Sequence, residues 1–181
     1  MDFFRRAFED MRYNGKMGHA ERKTSFYIIS KNLRRNWVNY VWQSLVAGLF
    51  IFLIFFVLSE LIGVVVLASI GSTFFTVFAL PNNRTAKPRN VIGSHVVCIL
   101  IGLACCPIAS VSLGAGIAVG ASAFFMVITD TEHPPAAGIA LGLALASSPA
   151  LAFSSAGFAL VAALLASGLK KLLSPWLKDL V

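Results

Sequence analysis

Charged side chains are scarce in this chain: Asp, Glu, Lys and Arg make up 13% of its 181 residues, against 57% hydrophobic. Soluble domains carry about a quarter charged residues, so an ordinary soluble domain is excluded and a membrane protein is implied. Cysteine is nearly absent. Cys98, Cys105 and Cys106 share one apolar segment, without the spacing of a zinc site or a CxxC redox pair, and read as small buried hydrophobes. No GxxxxGK[ST] loop and no HExxH occur, so ATP coupling would need a partner and no metallohydrolase signature is present. No cofactor, metal or nucleic acid is expected, and no enzymatic role. The opening residues are too charged for a secretory signal.

What charge there is clusters. Met1 to Asn39 holds nine of the fifteen Lys and Arg, and from Tyr40 to Leu80 the one charged residue is Glu60. Three regions result: a basic, partly amphipathic cytoplasmic arm (1–37), a transmembrane domain (38–173) and a short cytoplasmic tail (174–181). Within the arm, Phe3, Phe4, Ala7, Phe8 and Met11 recur at helical spacing over Asp2 to Tyr13. That stretch reads either as an interfacial helix on anionic headgroups or as a solvated arm with a hydrophobic handle. Ser25 to Leu33 can form a second interfacial turn or two. Trp37, Tyr40 and Trp42 sit where an aromatic belt belongs.

About 20 apolar residues cross a bilayer core. Val38–Leu58, Leu61–Leu80, Val91–Ser110, Ser112–Thr129 and Leu151–Leu173 are long enough, and Pro135–Ser148 is short, as a half-helix inside protein would be. The class is therefore an all-α polytopic bundle of about six spans. With the arm cytoplasmic, six spans put all fifteen Lys and Arg on the inner side, as the positive-inside rule requires. Five would strand Lys170, Lys171 and Lys178 outside. The expected location is the cell inner (plasma) membrane, both termini cytoplasmic, in contact with lipid.

Two polar stretches interrupt the apolar sequence: Pro81–Asn90 and Asp130–Pro135. Each opens a new helix at proline, whose missing N–H costs nothing in the first turn. Helix N-termini attract anions, so the two turns read as facing one small anion. An offset of fifty residues aligns Ser72–Val77 with Ser122–Val127, matching Ser, Phe, Phe and Val, a parallel repeat that would bring both turns to the cytoplasmic side. Candidate substrate contacts are Ser69, Ser72, Thr73 and Ser122 on the preceding spans, with Arg89, Asn90, His95, His133 and Pro134 at the new helices. For Arg84 and Lys87 a topology signal and headgroup contact compete with a site role. His95, one turn into a span, reads as a functional contact or as a structural hydrogen bond. Asp130, Glu132 and His133 are candidates for proton coupling or gating: the acids either pair with Arg84, Lys87 or Arg89, or one of the three carries a proton. Gly114, Gly116, Gly120, Ser122, Gly138 and Gly142 allow close helix approach, within the bundle or in a homo-oligomer.

Ala68-Ser69-Ile70-Gly71-Ser72, Lys87-Pro88-Arg89-Asn90-Val91-Ile92-Gly93-Ser94-His95 and His133-Pro134-Pro135-Ala136 together resemble the HPP family of integral membrane proteins. The family's usual order is a small-residue turn, a proline loop ending Gln-Pro-Arg-Asn, Gly-Gly-His, then His-Pro-Pro-Ala-Gly. This chain departs at Lys87 for glutamine, Ser94 for the second glycine, Ala137 before Gly138, and a more polar proline loop. The resemblance covers roughly Val38 to Leu173 and implies transport, since plant chloroplast-envelope and cyanobacterial relatives are associated with nitrite. The leading expectation is a transporter or facilitator of a small inorganic anion, nitrite first and nitrate next. Two alternatives stand beside it. One is a membrane sensor or anchor whose basic arm recruits a partner; the other is an intramembrane enzyme using Asp130, Glu132 and His133 around a metal, disfavoured by ligand spacing.

Overall fold

A computed structural model describes residues 31–58 and 62–180. The expected interfacial helix at Asp2–Tyr13, most of Ser25–Leu33 and Glu60 lie outside the described residues. Met1–Arg35 falls in a separate unit, and the bundle is formed by Asn36–Val181. The described residues form six α-helices and no strand: α1 (Lys31–Leu58), α2 (Val64–Ala79), α3 (Pro88–Cys105), α4 (Val111–Ile128), α5 (Pro135–Ala144) and α6 (Pro149–Leu173), with a 3₁₀ turn at Arg84–Ala86. The bundle is all-α, as the apolar runs imply.

Helix boundaries follow local chemistry more closely than hydropathy. Proline occupies the first turn of α3, α5 and α6, so α3 and α6 begin before the apolar runs that were expected to define them. Ser110 Oγ accepts from Leu113 N–H at 3.4 Å and Ser148 Oγ from Leu151 N–H at 3.2 Å, capping α4 and α6. Lys170 and Lys171 fall in the last turn of α6, where cations complement the helix dipole. The α3 helix stops two residues short of Pro107.

Among the described residues three helices are long and apolar enough, by length and composition, to cross a membrane: α3, α4 and α6, of 18, 18 and 25 residues. The 10 residues of α5 reach only about 15 Å, roughly half a hydrocarbon core. Glycine contacts give its register. A Cβ on Gly142 would strike Val66, and one on Gly138 would strike Ser69, while His133 meets Thr73; α5 therefore runs antiparallel to α2. Gly93 abuts Thr131, His95 faces His133, and Gly102 abuts Ala140. Each of these pairs is offset by 38 positions, so α5 runs parallel to α3 and Pro135 lies level with Val97, roughly 14 Å along the α3 axis. The short helix starts inside the bundle.

That start needs cover, because irregular backbone at depth must be enclosed by protein. Thr131 and His133 are buried, and α5 touches α2, α3, α4 and α6. One face of α2 (Val66, Ile70, Phe74, Val77) packs with alanines of α6 at 152, 156, 159, 163 and 166 in a common core, a small-residue stripe that permits close approach. Leu45, Leu49, Phe52 and Phe56 of α1 point outward, as lipid-facing residues do.

The architectural unit of helix, polar turn and proline-started helix occurs twice, and the two turns meet at one end, where Arg84 pairs with Asp130. The aligned side chains do not face alike: Ser72 is exposed and Ser122 buried, Phe74 buried and Phe124 exposed. The tail packs back on this end. Leu177 and Leu180 are buried, Leu180 N–H donates to the Ala79 carbonyl at 2.9 Å, and the Asp179 carboxylate accepts from Asn82 N–H and Nδ2.

At Gly102 an added Cβ would lie 2.8 Å from both the Cα and the carbonyl oxygen of Ala140, atoms that move only if a helix moves. Gly102→Val is expected to destabilise the bundle by about 1–3 kcal/mol. Gly116, with nothing within 4 Å of its added Cβ, is expected to tolerate valine within about 0.5 kcal/mol. Unfolding of the two variants in detergent micelles checks the difference.

Candidate functional site

The site is assembled by two turns. In the first, Asn83 Oδ1 accepts from Thr85 N–H at 3.0 Å and holds the 3₁₀ turn, while Lys170 Nζ donates to the Ala86 carbonyl at 2.8 Å. The Thr85 carbonyl is thereby presented to His133 Nδ1 at 2.8 Å. In the second, Asp130 takes a left-handed conformation with φ 55°, which aspartate tolerates better than most residues. The chain turns there from the end of α4 down toward α5. Asn90 Nδ2 donates to the Glu132 carbonyl at 3.1 Å, tying the start of α3 to this descent.

At the bottom sit two histidines, each 0% exposed, with ring centroids 5.6 Å apart. Their hydrogen bonds assign the tautomers. His95 Nδ1 lies 2.7 Å from the Val91 carbonyl and His133 Nδ1 2.8 Å from that of Thr85. A carbonyl only accepts, so both Nδ1 atoms carry the proton and, in neutral rings, both Nε2 atoms are acceptors. His133 Nε2 receives the Thr73 hydroxyl at 3.1 Å. His95 Nε2 is buried with no hydrogen-bond partner, and so is Ser122 Oγ, which lies beside the Cys98 thiol without a well-formed bond.

The expected site residues therefore separate. Thr73, Asn90, His95, Ser122 and His133 are all buried in this part of the bundle, and Ser69 is buried against Gly138. Ser72 is exposed on the other side of α2 and its carbonyl accepts from Thr76. Pro134 is exposed. Arg89 is exposed and reaches the Asp130 carboxylate and the Thr129 carbonyl, each at 3.4 Å. The start of α5 offers few donors: Pro134 and Pro135 have no N–H, Ala136 N–H bonds to the His133 carbonyl at 2.9 Å, and Ala137 N–H to that of Pro134 at 3.1 Å. Side chains, more than helix ends, carry the polar chemistry here. Thr85, Thr131 and Ser94 also make hydrogen bonds here, and the places of Thr85 and Thr131 in the two polar turns were the signal that could have found them.

Above the histidines, Arg84 pairs with Asp130 and approaches Glu132 at 3.9 Å. These exposed pairs are worth about 0–1 kcal/mol each, so their effect is to offset the acids at the mouth. Among the described residues no group of three or more His, Cys, Asp or Glu side chains is placed to hold a metal. Two cavities lie away from the histidines. One of about 210 Å³ is bordered by Gln43, Phe75, Phe78 and Leu180, and one of about 280 Å³ by Leu103, Pro107, Ser148 and Phe153. Both are mainly apolar, and the buried donors and acceptors mark the site better.

A family model described as HPP, transmembrane region, matches residues 32–175. The chain belongs to the HPP family. The match takes in nearly all of α1 and the whole of α2 to α6, so the half-helix and both turns lie within the shared region. No curated protein and no solved structure matches the chain. In this HPP protein the His-Pro-Pro sequence is His133-Pro134-Pro135: the histidine bridges the first turn to α2, and the prolines start the half-helix without leaving N–H groups to satisfy.

Nitrogen-15 NMR of histidine-labelled protein in micelles at neutral pH is expected to show His95 and His133 as Nδ1–H tautomers with unprotonated Nε2. In Thr73→Val the His133 Nε2 resonance is expected to move while that of His95 keeps its tautomer.

Proposed function

We propose that this HPP protein carries a small monovalent inorganic anion across the membrane, nitrite in the first instance and nitrate after it, as a transporter or facilitator rather than an enzyme. The observation that carries this reading is the uncharged polar cluster of Thr73, Asn90, His95, Ser122 and His133, buried where a half-helix begins inside a membrane bundle. Neutral groups in such a place hold an ion without trapping it. Polar residues inside a membrane bundle are costly and tend to line substrate paths.

The mouth supports the same reading. Arg84, Lys87 and Arg89 stand at one end with Asp130 and Glu132, and the ion pairs offset the two carboxylates while leaving an excess of positive charge toward an arriving anion. Lys170, Lys171 and Lys178 are at or near the end of α6. The positive-inside rule supports a cytoplasmic orientation for this end, and with it our reading of a plasma-membrane protein with both termini cytoplasmic.

Flux into proteoliposomes tests the proposal, with nitrite, nitrate and formate compared against protein-free vesicles so that leakage of nitrous acid is subtracted. Saturable nitrite flux is expected. His133→Ala removes two buried hydrogen bonds and is expected to lower it about tenfold or more, since about 1.4 kcal/mol is tenfold and a buried bond is worth roughly that. Flux no faster than protein-free vesicles for every anion would end the anion reading and return the basic arm as partner-recruiting sensor or anchor to first place.

A further inference from the structure

The two histidines are not equivalent. His133 has both ring nitrogens engaged, Nδ1 with the Thr85 carbonyl and Nε2 with the Thr73 hydroxyl, which makes it a positioning residue. His95 spends Nδ1–H on Val91 and leaves Nε2, a lone pair, buried and unpartnered. An anion cannot bind a lone pair. For His95 to touch the anion, Nε2 must first hold a proton.

We propose that His95 Nε2 is the proton acceptor of the transport step, so that one proton and one monovalent anion cross together. This rests on the reading of the protein as an anion carrier. The coupling derives from the surroundings of His95. The α2, α4 and α5 helices contain no titratable side chain other than serine and threonine hydroxyls, and α6 has only Lys170 and Lys171 in its last turn, Lys170 being held by the Ala86 carbonyl. From its own helix the titratable groups are Cys98, buried one turn along, Cys105, buried at the far end of the helix, and Arg89, exposed at the helix start; His133 faces it from the turn. Asp130, Glu132 and Arg84 belong to the mouth, where they pair with one another or with Arg89. Among the described residues no carboxylate is buried beside His95 to neutralise an imidazolium, and no fixed cation is buried there to neutralise an anion.

Each charge therefore requires the other. A proton taken up on Nε2 creates an N–H donor and a positive charge; the anion supplies the acceptor and the negative charge; the buried pair is neutral. On the far side the proton leaves Nε2 for water or the departing anion, the lone pair is restored, and the ring returns to the neutral Nδ1–H form. Ser122 Oγ–H, the uncommitted hydroxyl on the α4 stripe that includes Ala118 and Met126, is a second donor for the bound ion. Net charge moved is zero, so the membrane potential neither drives nor opposes the cycle.

The test uses proteoliposomes with an entrapped pH-sensitive dye, nitrate and nitrite as probes, and the potential clamped by valinomycin with set potassium gradients. Nitrate is included because its acid is too strong to leak as a neutral molecule. The expected result for wild type is saturable anion uptake with one proton per anion, unchanged between clamped potentials. His95→Gln, which offers an N–H donor but takes up no proton, is expected to lose proton uptake by about a hundredfold, the scale of a lost positioned proton carrier. Saturable anion flux that follows the potential without proton uptake would overturn the coupling and leave the anion reading standing. A one-to-one ratio retained in His95→Gln would overturn the assignment to His95. Absence of saturable flux for any anion ends both. The wild-type ratio and its indifference to potential decide the coupling without reference to how well the variant folds.

Discussion

The close approach of α5 to its neighbours is the constraint on which the rest depends. Gly102 lets the α5 backbone at Ala140 come to contact with α3, and Gly138 and Gly142 let Ser69 and Val66 of α2 reach α5 from the other side. In lipid there is no hydrophobic gain in pressing apolar helices together, so this packing must come from dispersion between complementary surfaces. Three glycines on two helices supply that complementarity. With them in place a helix of 10 residues can stand in the middle of a bundle without reaching both surfaces, and its beginning is forced inside.

A helix that begins inside brings polar backbone with it, and the sequence around His133 manages that burden. Two consecutive prolines remove two donors; Ala136 and Ala137 return theirs to the carbonyls of His133 and Pro134. The Glu132 carbonyl is taken by Asn90 and the side chain of His133 is fixed at both nitrogens. The bonds of Asn90 and His133 join residues from different parts of the chain, so the site is stable only when the α2–α3 and α4–α5 units have met. That accounts for the separation of labour between the mouth and the depth. Charged residues remain at the exposed end, where pairing costs little, and neutral hydroxyl, amide and imidazole groups go inside, where an unpaired charge would be far more costly than an unpaired dipole.

Much of this was legible in the sequence, and the parts that were not share a cause. Apolar run lengths, the proline-started helices, the meeting of two polar turns and the pairing of acids with Arg84 and Arg89 are all one-dimensional signals: length, position and charge. The shortness of the segment after Pro135 pointed to a half-helix. Facing is different. Ser72 and Ser122 align in the repeat, yet one is exposed and the other buried, because α2 and α4 are rotated differently about their axes by partners that the alignment does not contain. The helix-end chemistry was read from proline alone, whereas the donors that remain at the start of α5 turn back onto its own preceding carbonyls. Nor can a sequence state a tautomer. Which nitrogen of His95 holds the proton is decided by a carbonyl four residues earlier, at 2.7 Å, and only that distance exposes the difference between a donor and an acceptor.

That difference bears on how, if the protein carries an anion as proposed, a positive mouth and a neutral interior with an imidazole lone pair could serve the same ion. Under the proposed anion transport, Arg84, Lys87 and Arg89 would attract the anion at the surface, where water screens them; had they extended inward, it would be held too firmly to leave. A neutral interior avoids trapping but holds an anion only weakly, and an imidazole lone pair opposes it. The two demands are reconciled if positive charge inside is transient, present while the anion is present and gone when it leaves. Histidine is a side chain that can take up and release a proton, and of the two buried here only His95 has a ring nitrogen with no existing bond to change. Protonating His133 Nε2 would reverse its bond with the Thr73 hydroxyl, which would then have to accept, whereas His95 Nε2 has no bond to change. The division between a fixed histidine and a free one thus follows from the same packing that buried them both.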